Sequence, residues 1–140
     1  MPSRALVIDA NILIRAVLGR RVRELIETHA AMVSFFVPEF ALAEAEEHLA
    51  VLVERRGGEP EKALALLRTL GNLVEVIRLE VYGSLEREAR ARLGQRDPDD
   101  WPVLATALAL NCPIWTEDTD FFGCGVATWT SDRVRMFLQE

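Results

Sequence analysis

The chain enters its first element as Ala5-Leu6-Val7-Ile8-Asp9, four apolar residues in succession that end on a carboxylate. A half-exposed strand would alternate apolar and polar residues. An unbroken short run is instead the pattern of a strand covered on both faces, as in the middle of a parallel sheet. Parallel strands cannot be joined by tight turns, so helical crossovers must follow. The rest of the chain supplies them. Asn11 to Leu18 and Val22 to Thr28 read as helices parted at Gly19, Val33 to Val37 as a second strand stopped at Pro38, and Glu39 to Arg56 as a long helix ended by Gly57-Gly58. Glu61 to Leu70 reads as a helix closed by Gly71, Leu73 to Leu79 as a third strand, and Tyr82 to Leu93 as helix. After an Asp-rich start, Trp101 to Leu110 is a buried helix; Pro113 to Thr116 and Val126 to Thr130 are short strands, and Ser131 caps a last helix to Gln139. This order predicts an α/β fold in three layers, α/β/α, around a central, mostly parallel sheet of four or five strands.

Composition limits what such a fold can do here. The 140 residues suit one domain, 1–140, and with half of them apolar and 27% charged they can bury a core. No apolar run approaches the length of a membrane span, and the N-terminus lacks a signal-peptide pattern, so no membrane association and a cytoplasmic location are expected. Cys112 and Cys124 lie in apolar surroundings and are expected as reduced core thiols, and the isolated His29 and His48 make no Cys/His metal pattern. A net charge of −6 argues against a broad basic surface for gripping nucleic acid. It leaves room for a site made of acids.

Acids are concentrated in two places, "QRDPDDW" at Gln95–Trp101 and "WTEDTDFF" at Trp115–Phe122. Helix capping explains part of the first: Asp97 suits the N-cap, Pro98 the first helical position, and Asp99 and Asp100 the first turn, where the helix dipole favours negative charge. One acid would satisfy the cap, and three are present. In a doubly wound sheet, ligands bind at the carboxyl ends of the strands, near the point where strand order reverses. Asp9 closes the first strand, Asp118 and Asp120 follow the fourth, and Asp100 stands on a helix whose i+4 and i+7 neighbours, Leu104 and Ala107, face inward. Carboxylates gathered in one pocket repel, and an oxygen-only donor set selects a hard cation, Mg²⁺ or Mn²⁺. At least one such carboxyl is expected to have a raised pKa through like-charge repulsion.

The segments "VIDANILIRAVLG", "VPEFALAEAEEHL" and "DPDDWPVLATALALNCPIWTEDTDF" together resemble the PIN-domain family, metal-dependent ribonucleases that include VapC-type toxins. The resemblance spans essentially the whole chain and implies a set of site residues. Asp9 is implied as the first metal ligand with Asn11 steadying it, Glu44 as the helical glutamate, Asp100 as the third acid, and Thr116 and Asp118 as the closing Thr-x-Asp, with Asp120 in support. Asp9, Glu44, Asp100 and Asp118 are thus the expected catalytic and metal-binding residues of a Mg²⁺- or Mn²⁺-dependent endoribonuclease. The resemblance further implies an RNA substrate, an antitoxin protein as partner and a homodimer. From the residues alone Glu44 is less distinct: Glu44, Glu46 and Glu47 could all be a solvated helix face, although Phe40, Glu44 and Val51 share a stripe that would bring Glu44 to the core's edge, and Glu47 is the fallback. Asp97 and Asp99 are the alternatives to Asp100.

Arg15, Arg20, Arg21 and Arg23 follow Asp9 closely, and Arg15 and Arg20 are the candidates for touching RNA phosphates. Trp101, Trp115 and Trp129 are expected to pack rather than to stack on bases. Other chemistries lack their players. A phosphoacceptor receiver domain needs a lysine after its last strand, and the only lysine is Lys62; an aspartyl-nucleophile phosphatase needs an acid where Asn11 stands; no glycine-rich turn follows the first strand to bind a dinucleotide. A non-catalytic PIN-like module that binds protein or RNA is the remaining alternative.

Overall fold

The computed structural model describes residues 4–96 and 98–139. Five strands, β1 (Arg4–Ile8), β2 (Val33–Pro38), β3 (Val74–Ile77), β4 (Ile114–Trp115) and β5 (Thr128–Trp129), form one sheet in the order β3-β2-β1-β4-β5. Every pairing is parallel. β1 is the middle strand, and Leu6, Val7 and Ile8 are fully buried. Removing each of these side chains from water contributes roughly 1.5–3 kcal/mol, which is why the uninterrupted apolar run ends up at the centre of the sheet.

The chain fills one side of β1 first and then the other. α1 (Ala10–Leu18) and α2 (Arg21–His29) carry it from β1 to β2, and α3 (Glu39–Arg55) and α4 (Pro60–Leu70) carry it from β2 to β3. α5 (Leu79–Tyr82), α6 (Glu86–Leu93) and α7 (Trp101–Leu110) then cross back to β4, and α8 (Val134–Leu138) closes the chain. α1 packs on α2, α3 and α4, while α7 packs on α5 and α6. Right-handed crossovers in opposite directions put these two groups on opposite faces of the sheet, giving the three α/β/α layers. The strand order reverses between β1 and β4, and the carboxyl ends of those two strands are where a doubly wound sheet binds its ligands.

Local chemistry sets the boundaries. Gly57 adopts φ +77 after α3, and the Gly57 and Gly58 amides donate to the carbonyls of Glu54 and Val53, a reciprocal C-terminal cap that a residue with a Cβ would strain. α7 is apolar nearly all round, with Pro102 to Ala107 buried. Its one buried hydroxyl, Thr106, donates back to the Pro102 carbonyl at 2.7 Å.

Four expectations are corrected. β1 ends at Ile8, and Asp9 is the N-cap of α1 rather than the last strand residue. The helix expected over Tyr82 to Leu93 is divided into α5, a 3₁₀ turn at Gly83–Leu85, and α6, because the chain must bury Tyr82 on one segment and Ala89 and Leu93 on the next. Ser131 does not cap α8, whose N-cap is Arg133, because the Ser131 hydroxyl instead accepts from Trp115 Nε1 at 3.0 Å. The core-facing stripe of α3 is Ala41, Ala45 and Leu49, while Phe40 and Val51 are exposed. The N-cap role expected of Asp97 lies outside the described residues. Cys112 and Cys124 are buried free thiols.

Candidate active site

Asp9 is placed by the turn from β1 into α1. Its Oδ1 accepts the Ile12 amide at 3.0 Å, and its Oδ2 accepts the hydroxyl of Thr116, just past β4. These two residues are 107 apart in sequence and adjacent in space because β1 and β4 pair directly. Only three polar or charged residues are buried among those described, and Asp9 and Thr116 are two of them. Burial is the main cause that pushes the Asp9 carboxyl up from 3.8 to about 6. The Thr116 and Ile12 hydrogen bonds oppose it, and the negative charges of Asp118 and Glu44 add to it. A raised carboxyl is present as expected, but desolvation outweighs the like-charge repulsion that motivated the expectation.

A hydrogen-bonded ladder continues from Thr116. The Asp118 amide donates to Thr116 Oγ1 at 2.9 Å, and the Asp120 amide donates to Asp118 Oδ1 at 2.9 Å, capping a 3₁₀ turn at Thr119–Phe121. Asp100 reaches the same place from the other segment. It sits at the N-cap position of α7, preceded by a 3₁₀ turn at Pro98–Asp100, and makes no side-chain capping bond to that helix. Capping therefore does not account for this acid. One carboxylate oxygen from each of Asp100, Asp118 and Asp120 lies within 4.8 Å of the others, an arrangement able to hold a metal ion. All three are half-buried.

The geometry thus groups the expected acids unevenly. Asp100 and Asp118 come together with Asp120, which had been assigned a supporting part, and Asp9 joins them through Thr116. Glu44 is half-buried on α3 and near enough for its charge to act on Asp9, whereas Glu46 and Glu47 are exposed. Asp99 is exposed. Glu117 is engaged elsewhere, accepting the Ser131 amide. Asn11 is exposed, and Asp9 is steadied by Thr116 and the Ile12 amide.

The arginines separate by location. Arg15 shares the exposed face of α1 with Asn11, one turn back. Arg20 stands past the far end of this helix, which at 1.5 Å per residue is roughly 13 Å long, and pairs with Glu24 at 3.6 Å. Arg23 donates to the Ala16 and Val17 carbonyls at the end of α1. The tryptophans pack as expected: Trp115 is fully buried against Phe35, Trp129 lies on Phe137, and Trp101 lies on Tyr82.

Two arginines to which the sequence reading gave no role bear on the acidic loop. Arg96 Nη1 donates to the carbonyls of Asp120 and of Phe122, the latter at 2.8 Å, and Arg92 Nη1 donates to the Cys124 carbonyl at 3.1 Å. Their partners are backbone oxygens, so residue types and spacing carried no signal of the contacts. An apolar groove of about 440 Å³ opens beside the site, lined by Phe40, Ala43, Leu79, Tyr82 and Trp101 with Glu39.

Comparison with known proteins agrees with this architecture. A family model described as PIN domain matches residues 7–139. No curated protein matches the sequence. Among solved structures, PAE2754 from Pyrobaculum aerophilum aligns with a TM-score of 0.70 at 16% identity, over 97% of this chain and 90% of its own. VapBC2 from Rickettsia felis, solved bound to a DNA fragment from their promoter, aligns with a TM-score of 0.69 at 16% identity, over 90% of this chain and 98% of its own. A toxin-antitoxin complex from Klebsiella pneumoniae aligns with a TM-score of 0.58 at 19% identity, over 90% of this chain and 97% of its own. At these identities the likeness is one of fold.

Proposed function

The chain belongs to the PIN-domain family, and on that footing we propose that it is a Mg²⁺- or Mn²⁺-dependent endoribonuclease, the toxin of a toxin–antitoxin pair. The observation that carries this reading is the convergence of Asp100, Asp118 and Asp120 within 4.8 Å beside the buried Asp9, at the reversal of strand order. The donor set is oxygen only, which fits a hard divalent cation and no softer metal. Asp100, Asp118 and Asp120 would hold the ion, with Asp9 and Glu44 supplying the surrounding negative charge. A cation there supplies Lewis-acid stabilisation of phosphodiester charge and a more acidic water.

The protein's own part is to hold the acids in register before substrate arrives. Thr116 serves both sides of that task, donating to Asp9 and accepting from the Asp118 amide. The substrate is RNA in single-stranded or loop form, cut by hydrolysis to leave a 3′-hydroxyl and a 5′-phosphate. Arg15, on the exposed face of α1, is the nearer of the two candidate phosphate contacts. The antitoxin partner is supported by the fold shared with the Klebsiella pneumoniae toxin-antitoxin complex. A homodimer is supported by the apolar groove at Phe40, Leu79, Tyr82 and Trp101 and by exposed Phe40, Leu79 and Val81. No described helix is long and apolar enough to cross a membrane, and we place the protein in the cytoplasm.

The test is cleavage of structured and unstructured RNA by the purified protein, with added Mn²⁺ and with EDTA. Metal-dependent cutting that disappears in Asp100→Asn and Asp118→Asn is the expected result. Cutting that persists in EDTA overturns the metal-dependent reading, and Mn²⁺ binding without any cutting points to a non-catalytic module.

A further inference from the structure

The acidic site is built from two segments that approach from different parts of the chain. One carries Asp100 at the head of α7; the other is the loop after β4 that carries Asp118 and Asp120. Close carboxylates repel one another, and that repulsion acts to open the gap between the two segments whenever no cation lies between them. The β4 loop is tied on its inner side by the ladder from Asp9 through Thr116 to Asp118 and Asp120. Those bonds fix the loop to β1 and β4, and none of them reaches the segment that carries Asp100.

Arg96 makes that connection. It lies four residues before Asp100, and its Nη1 grips two carbonyls of the opposite loop, those of Asp120 and Phe122. The bond to Asp120 places a permanent positive charge on the backbone of one of the three clustered acids. We infer that Arg96 is a positioning residue of the acidic site, helping to hold the Asp100 segment and the Asp118–Asp120 loop together before the metal binds. This inference rests on the metal-site reading above. Arginine suits the task because its charge cannot be lost near neutral pH and one nitrogen carries two protons for two acceptors.

Arg92 supplies an internal comparison. One turn earlier on α6 it makes the same kind of bond to the same loop, at Cys124, beyond the acids. Gly125 suits that place because its φ of +90 strains a residue with a side chain, and a Cβ there, 2.6 Å from Arg92 Nη1, would also make the guanidinium shift. A general loosening of the loop should follow loss of either arginine, whereas mispositioned acids should follow loss of Arg96 alone.

The experiment compares Arg96→Ala, Arg96→Lys and Arg92→Ala with wild type in two measurements. In Mn²⁺ titrations followed by electron paramagnetic resonance, Arg96→Ala should bind about tenfold more weakly, as expected for loss of an outer group that orients ligands. Arg96→Lys should recover part of that loss, and Arg92→Ala should bind as wild type does. In EDTA, hydrogen exchange of the Asp118–Phe122 amides should be faster in Arg96→Ala than in Arg92→Ala. Unchanged Mn²⁺ affinity in Arg96→Ala, or an equal loss in Arg92→Ala, overturns the inference. Should wild type bind no Mn²⁺, the metal-site reading fails on its own, and the exchange data decide the inference: equal protection of the loop in wild type and Arg96→Ala overturns it. If Arg96→Ala does not fold, Arg96→Lys carries both measurements.

Discussion

Asp9 couples the site to stability through its proton. Its carboxyl titrates near 6 in the folded protein against an ordinary 3.8, so between those values the native state holds more proton than the unfolded chain. The stabilisation from this residue is complete below about pH 4, falls as pH rises, and is gone above about pH 6. At 1.36 kcal/mol per unit the swing reaches roughly 3 kcal/mol at most. Asp9→Asn removes it, so in EDTA the variant should be the more stable protein at pH 7, by up to that amount, and should lose its advantage by pH 4. Urea denaturation of both proteins from pH 4 to 8 measures the difference, and an advantage that grows on acidification would contradict the assignment. Thr116→Val tests the same bond from its partner. It strips a donor from Asp9 and an acceptor from the Asp118 amide, and should cost about 1–3 kcal/mol at neutral pH. The Asp9 carboxyl should then titrate still higher, since the hydroxyl is what opposes burial most strongly.

The elements show where sequence patterns suffice and where they stop. The apolar run at Leu6–Ile8, the largely apolar strand at Val33–Val37 and the glycine stop at Gly57-Gly58 were legible because each is decided by neighbouring residues. The division of the segment before Leu93 was not, because it depends on Tyr82 finding Trp101, with ring centroids 5.7 Å apart. Ser131 was misread for the same reason, since a cap motif cannot reveal that a tryptophan sixteen residues away will take its oxygen. The end of α7 offers a test of local control. Asn111 turns the chain at φ 53 in the left-handed region, its amide bonded to Ala107, so that β4 can begin three residues on. Asn111→Gly should be close to neutral, while Asn111→Val should cost about 1–2 kcal/mol because a branched Cβ resists that conformation. Thermal melting distinguishes them, and equal loss in both would mean that the Asn111 side chain matters for another reason.

For the whole molecule, the placement of Asp9 beside the loop with Asp118 could be anticipated, since a doubly wound sheet brings its strand ends together where the order reverses. Asp120 was expected there in support, but its place in the closest trio and the reach of Arg96 could not be foreseen, because both depend on how a loop returns across the sheet edge. Assembly beyond one chain is tested at the groove beside α5: light scattering at micromolar concentration should give a dimer, and Phe40→Glu or Leu79→Glu should give a monomer. A monomeric wild type would remove the dimer. The position of β1 at the centre of the sheet has a further consequence for a protein made from its N-terminus onward. β2 can cover one edge of β1 while synthesis continues, yet the other edge waits for β4, and Asp9 waits for the hydroxyl of Thr116. A nascent chain on the ribosome therefore carries an unfinished centre until β4 and Thr116 have emerged, and the grouping of acids that depends on them cannot assemble before that point in synthesis.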